Sequence, residues 1–181
     1  MWALLAGPFL AAGVLLVAAG VPKLVDPMPL VRAVRLSGLP AGRTSIRLLA
    51  LAETAVGLYA LAAPGRISGM LTALAYLVFT AFVARALARG GVLGSCGCFG
   101  KPDTPPTRTH LVVTGAIVGV ATAVALDPPI NPWAGAGATS LTTVAFAGVI
   151  AFLAWMIMAV LPGSSPAVIR AAGTTGRTRG E

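Results

Sequence analysis

Cys96 and Cys98 stand one residue apart in the run Gly94-Ser95-Cys96-Gly97-Cys98-Phe99-Gly100 and are the only two cysteines of the 181-residue chain. Sulfurs this close can close a small disulfide ring, and Gly97 with its flanking glycines supplies the backbone freedom such a turn needs. The pair therefore reads as redox or metal chemistry. Thiol exchange requires a thiolate, which positive neighbours favour and apolar burial disfavours. Arg89, Lys101 and the amino terminus of the helix that follows are the sources of positive potential. The metal reading adds His110, the single histidine, as a third ligand. Two thiolates and an imidazole suit Cu(I) better than Zn(II), which takes four ligands. In a third reading the cysteines only staple the loop of a non-catalytic assembly subunit.

Four further residues qualify by type and position. Glu53 falls near the middle of an apolar run, where an ionisable group costs several kcal/mol unless it is paired, protonated or wet. It is a functional candidate for that reason, able to accept or relay the protons that accompany two-electron transfer. The alternative is a carboxylate neutralised by Lys or Arg to lock helix packing. Lys23 follows the first apolar run, and Arg85 lies near the end of the third, one turn before Arg89. Helical rise puts Glu53 about 12 Å and Arg85 about 5 Å below the same membrane face, so the Arg85 side chain is expected to reach inward toward Glu53. His110, at the mouth of the fourth run, reads first as a polar cap and second as a neighbour of the dithiol.

The elements that must position these groups are membrane helices. Hydrophobic residues make up 57% of the chain and charged residues 10%, and the mean hydropathy is +0.90, beyond what a soluble domain of this length tolerates. The sequence predicts an all-α integral membrane protein, an antiparallel bundle of five spans over residues 2–21, 45–63, 67–88, 110–126 and 138–161. Four of them form a core and the fifth is added to it. An amphipathic helix in the interface or an irregular basic loop fits residues 26–44, where Arg32 and Arg35 are three apart among apolar neighbours. Pro64-Gly65-Arg66 is short enough to require antiparallel neighbours on either side of it. Residues 1–162 form the bundle, with the Cys-Gly-Cys loop at 90–109, and the Gly/Ser/Thr/Arg-rich 163–181 reads as a disordered tail.

Charge sets the orientation. With the amino end outside, 12 of the 13 Lys and Arg residues fall inside and only Arg66 outside, which places the Cys loop and the tail on the cytoplasmic face of the plasma membrane. Trp2, Tyr59 and Trp133 then gather at the outer interface. The net charge of +8 does not point to nucleic acid, because the basic residues are spread over short loops beside apolar segments. The expected partner surface is the lipid bilayer.

Three stretches together resemble the MauE branch of the MauE/DoxX membrane family. They are Gly20-Val21-Pro22-Lys23-Leu24 after the first span, Glu53 and Gly57 in the second, and above all Cys96-Gly97-Cys98-Phe99-Gly100 after the third. The likeness covers most of residues 1–126. It implies a helical bundle linked to methylamine utilisation. With a thioredoxin-like partner, such a bundle forms or maintains disulfides in an exported dehydrogenase subunit. It also implies Cys96 and Cys98 as the active pair, with Lys23 and Glu53 as family-like polar positions and Gly97 and Phe99 as part of the motif. The chain departs from the family pattern at Pro105-Pro106-Thr107-Arg108-Thr109-His110, where an aromatic, Arg-containing start to the next helix is expected. Only one Cys pair is present, so a thioredoxin-like protein has to complete the relay, and a membrane quinone is the candidate cofactor. The implied client is exported, whereas charge counting puts the thiols on the cytoplasmic face.

Overall fold

The computed structural model describes residues 2–36, 38–88, 107–130, 133 and 138–160. Cys96, Gly97, Cys98 and Phe99, the surrounding 90–106 of the Cys loop and the tail 163–181 lie outside the described residues. The elements are α1 (Trp2–Val25), α2 (Met28–Leu36), α3 (Arg43–Ala62), α4 (Arg66–Ala88), α5 (Arg108–Leu126) and α6 (Ala138–Trp155), the last continued by a π-helical turn, Met156–Val160. Among the described residues there is no strand. Among the described residues five helices are long and apolar enough to cross a membrane, and the chain is a multi-pass membrane protein of the all-α class expected from its composition.

α1 is the central element. Of its most apolar stretch, 61% is buried within the protein, against 28% or less for every other span. The outer helices therefore turn most of their surface to lipid and one stripe inward. On α3 that stripe is Ile46, Ala50, Glu53, Gly57 and Ala60, spaced three and four apart as a single helix face must be. On α1 the matching face runs through Gly13, Leu16, Gly20 and Lys23. Small residues let the two backbones meet. A Cβ added at Gly57 would lie 2.7 Å from the carbonyl oxygen of Gly13, and one added at Gly13 would lie 3.2 Å from that of Gly57. Lipid tails are as apolar as leucine, so close packing of this kind, not hydrophobic exclusion, holds membrane helices together.

Pro64-Gly65 does return the chain antiparallel, but the two helices it joins, α3 and α4, touch only lightly: the most extensive packing is of α3 with α1 and of α4 with α5. The α4–α5 pair repeats the same device at Gly69, where an added Cβ would lie 2.8 Å from the backbone nitrogen of Ala125. It is tied further along by the Thr80 hydroxyl donating to the Thr114 hydroxyl at 2.9 Å. α6 packs on the remaining side of α1, where Ala11 and Leu15 meet Ala151 and Met158.

Residues 28–36 form the helix that the Arg32/Arg35 spacing allowed. Asp26 Oδ1 accepts from the Met28 amide at 3.0 Å at its start, and Gly38 turns the chain at its end with φ 76°, the left-handed region that glycine enters without strain. Leu30, Val31 and Ala33 face inward against Ile46 of α3 and Phe82 of α4, while Arg32 and Arg35 are exposed. At the opposite end of the bundle Trp2 stacks edge-on to Phe9, and Trp133 Nε1 donates to the Ala62 carbonyl at 3.2 Å. Trp2, Tyr59 and Trp133 thus share one end, as the five-span layout requires.

Candidate functional site

The first span does not finish at residues 20–24. α1 continues through Pro22 to Val25, the missing proline amide being tolerated where neighbouring helices cover the freed backbone. Lys23 is consequently a residue of the helix and not of the headgroup layer. Its side chain is 1% exposed and that of Glu53 3%, and Lys23 Nζ donates to Glu53 Oε2 at 2.6 Å. The ammonium also lies 4.8 Å from the centroid of the Phe79 ring, a cation–π distance. The expected approach of Arg85 to Glu53 is corrected here: the ion pair at Glu53 is made by Lys23, and Arg85 is exposed near the end of α4. The reason is rotational. Lys23 lies on the α1 stripe that Gly13 and Gly57 press against α3, whereas α4 makes its main contact with α5.

The pair leaves polar capacity unused. Glu53 Oε1 is buried with no hydrogen-bond partner among the described residues. An ammonium has three protons; Glu53 takes one, and no further hydrogen-bond acceptor for Lys23 Nζ is found among the described residues.

His110 is drawn into the protein as well. Thr107 is the N-cap of α5, and its hydroxyl lies 2.8 Å from His110 Nδ1. One ring nitrogen of His110 is thus tied to the N-cap of its own helix. The other, Nε2, is buried without a partner among the described residues. The ring borders a cavity of about 30 Å³ shared with Tyr76, Phe79, Thr114 and Met158, room for one or two waters on the scale of roughly 10–15 Å³ each. Phe79 is common to both environments: one wall of the His110 cavity and the ring against Lys23. Lys23, Glu53 and His110 thus belong to one end of one bundle. Cys96 and Cys98 fall in sequence between α4 and α5, outside the described residues.

Sequence reasoning missed the buried hydroxyl face of α4, of which Tyr76 lines the His110 cavity. Ser68, Thr72 and Tyr76 are buried at four-residue intervals, and the Tyr76 hydroxyl donates to the Ala12 carbonyl of α1 at 2.9 Å. The i, i+4 spacing of three hydroxyl side chains in an apolar run was the available signal. Gly57 was singled out as part of the family resemblance, and its structural role is the close approach of α1 and α3. Among the described residues no group of three or more His, Cys, Asp and Glu is placed to hold a metal. Of the Cu(I) set Cys96, Cys98 and His110, only His110 is described.

A polytopic helical membrane protein carrying a buried intramembrane ion pair is the class that this fold and site define. Within that class, the family model described as methylamine utilisation protein MauE matches residues 1–127, and the chain belongs to the MauE family. The matched region runs from α1 to the Asp127 cap of α5, so it includes Lys23, Glu53, His110 and both cysteines but not α6. No curated protein and no solved structure matches the chain.

Proposed function

We propose that this MauE-family protein is a membrane thiol-disulfide oxidoreductase, with Cys96 and Cys98 as its redox pair and Glu53, Lys23 and His110 as its proton-handling groups. The observation that carries the reading is the Lys23–Glu53 pair. Taking two charges out of water costs several kcal/mol per ion, and the α1–α3 crossing already has its close packing at Gly13 and Gly57. An ion pair with a bare carboxylate oxygen adds little to such packing, but it provides a group that can gain or lose a proton inside the bundle.

The chemistry is thiol-disulfide exchange. A thiolate of a thioredoxin-like partner attacks the Cys96–Cys98 disulfide, a mixed disulfide forms, and the partner's second thiol resolves it. The partner leaves oxidised, Cys96 and Cys98 become thiols, and the partner's disulfide passes to an exported protein. A subunit of methylamine dehydrogenase is the client the family suggests. Reoxidation of the two thiols passes two electrons to a membrane electron acceptor and releases two protons, which we assign to Glu53 and His110, the buried groups with an unpartnered acceptor or ring nitrogen among the described residues.

The test is the redox state of the two thiols in native membranes. Mass-tagged alkylation before and after reduction is expected to show one intramolecular disulfide that Cys96→Ser or Cys98→Ser removes, together with loss of exchange toward a thioredoxin-like substrate. Cysteines that remain reduced under every oxidant, or exchange that survives both substitutions, end the proposal.

A further inference from the structure

A groove of about 460 Å³ runs between α2, α3 and α4 at the Lys23 end of the bundle. Leu30, Ile46, Val78, Phe79 and Phe82 supply its walls, Lys23 is part of its lining, and Arg85 borders it. Val78 and Leu49, which also line it, are exposed on the outer surface of the spans, so the groove is reached from the lipid and not only from the aqueous face. Such a cleft takes an amphiphile, and the chemistry of its polar groups selects which.

Lys23 and Glu53 neutralise each other, so a phosphate or carboxylate brought to Lys23 would meet the carboxylate as well. A neutral ligand with a hydrogen-bond acceptor adds no charge and takes the ammonium proton for which the described residues hold no acceptor. A flat ring suits the faces of Phe79 and Phe82, and an isoprenoid tail suits the lipid-side opening. We infer that the groove between α2, α3 and α4 binds the head of a membrane quinone, with Lys23 donating to a quinone carbonyl.

The inference rests on the proposed thiol chemistry for its redox meaning, and it supplies the electron acceptor that chemistry requires. The two thiols of Cys96 and Cys98 lose two electrons and two protons and form one S–S bond. The quinone gains both electrons and both protons, and its two C=O groups become C–OH. Glu53 is linked to the groove through Lys23, the lining residue to which it is hydrogen-bonded.

Binding of decylubiquinone to the purified full chain in lipid nanodiscs tests the site without requiring turnover. Saturable binding is expected in the wild type. Lys23→Gln is expected to weaken it about ten-fold or more, the loss of a hydrogen bond from a charged donor. Val78→Trp, at an exposed groove position that leaves the ion pair untouched, is expected to abolish it and so keeps the test decisive if Lys23→Gln fails to fold. A protein that binds no decylubiquinone, or binds it equally after Val78→Trp, overturns the inference. So does a groove from which only phospholipid is extracted after purification and from which decylubiquinone displaces nothing. The Cys96→Ser/Cys98→Ser protein separates the two proposals: it should bind decylubiquinone like the wild type. Quinone binding in a protein whose cysteines never oxidise removes the thiol reading alone, whereas a redox-active dithiol with no quinone binding removes this one alone.

Discussion

Lys23 and Glu53, thirty residues apart in sequence and on antiparallel helices, meet at 2.6 Å inside the bundle with both side chains almost fully buried. The contact joins the central helix to its principal neighbour at the level of Phe79, which also lines the His110 cavity. Breaking one partner strands the other as a buried charge. Glu53→Gln and Lys23→Met are each expected to destabilise the protein by about 3–5 kcal/mol, while the Lys23→Met/Glu53→Leu double substitution recovers most of that loss. Denaturant unfolding of the four proteins measures the coupling; singles whose effects simply add in the double would show that the pair does not interact.

The α1–α3 crossing depends on the absence of side chains at Gly13 and Gly57. Gly57→Ala is expected to cost about 1–3 kcal/mol, because helix backbone and the Leu16 and Val17 side chains must move to admit a methyl group. Gly119, with nothing within 4 Å of an added Cβ, provides the contrast. Gly119→Ala is expected to be neutral or to stabilise by up to about 1 kcal/mol through helix propensity alone. Equal effects at the two glycines would remove the close-approach argument.

Tyr76 ties α4 to α1 by one hydrogen bond to the Ala12 carbonyl. Tyr76→Phe keeps the ring and its edge contact with Phe79 and removes only the hydroxyl. A loss of about 0.5–1.5 kcal/mol is expected, read as a lowered unfolding midpoint with an unchanged denaturant slope. A stability equal to the wild type would show that the bond contributes nothing net.

Thr107 holds both the start of α5 and the ring of His110. Thr107→Ala is expected to cost about 1 kcal/mol as a lost N-cap and to free the imidazole, seen as line broadening of the His110 ring protons in NMR. A ring signal as sharp as in the wild type would place the restraint on His110 elsewhere.

The charge asymmetry predicts which face presents the thiols. A membrane-impermeant maleimide is expected to label Cys96 and Cys98 after reduction in inverted vesicles and to leave them unlabelled in intact cells. Labelling in intact cells would reverse the orientation and would place the pair on the side of an exported client.

Much of this architecture is local and therefore legible without coordinates. Apolar runs of about 20 residues can only be membrane helices, and the five expected here are the five that form. The Arg32/Arg35 spacing marked α2, and the run from Lys23 through the Cys-Gly-Cys-Phe-Gly motif marked the family. The partner of Glu53 was not legible, because hydropathy fixes how deep a residue lies but not which way its helix is turned. Depth alone favoured Arg85. The rotation that selects Lys23 comes from glycines at 13 and 57 allowing two backbones to close, and from α1 continuing through Pro22 so that Lys23 stays on the buried face. The inward turn of His110 and the buried face of Thr72 and Tyr76 are likewise decided by which helices become neighbours. That choice is made by steric fit between segments far apart in the chain, and composition and spacing carry no record of it.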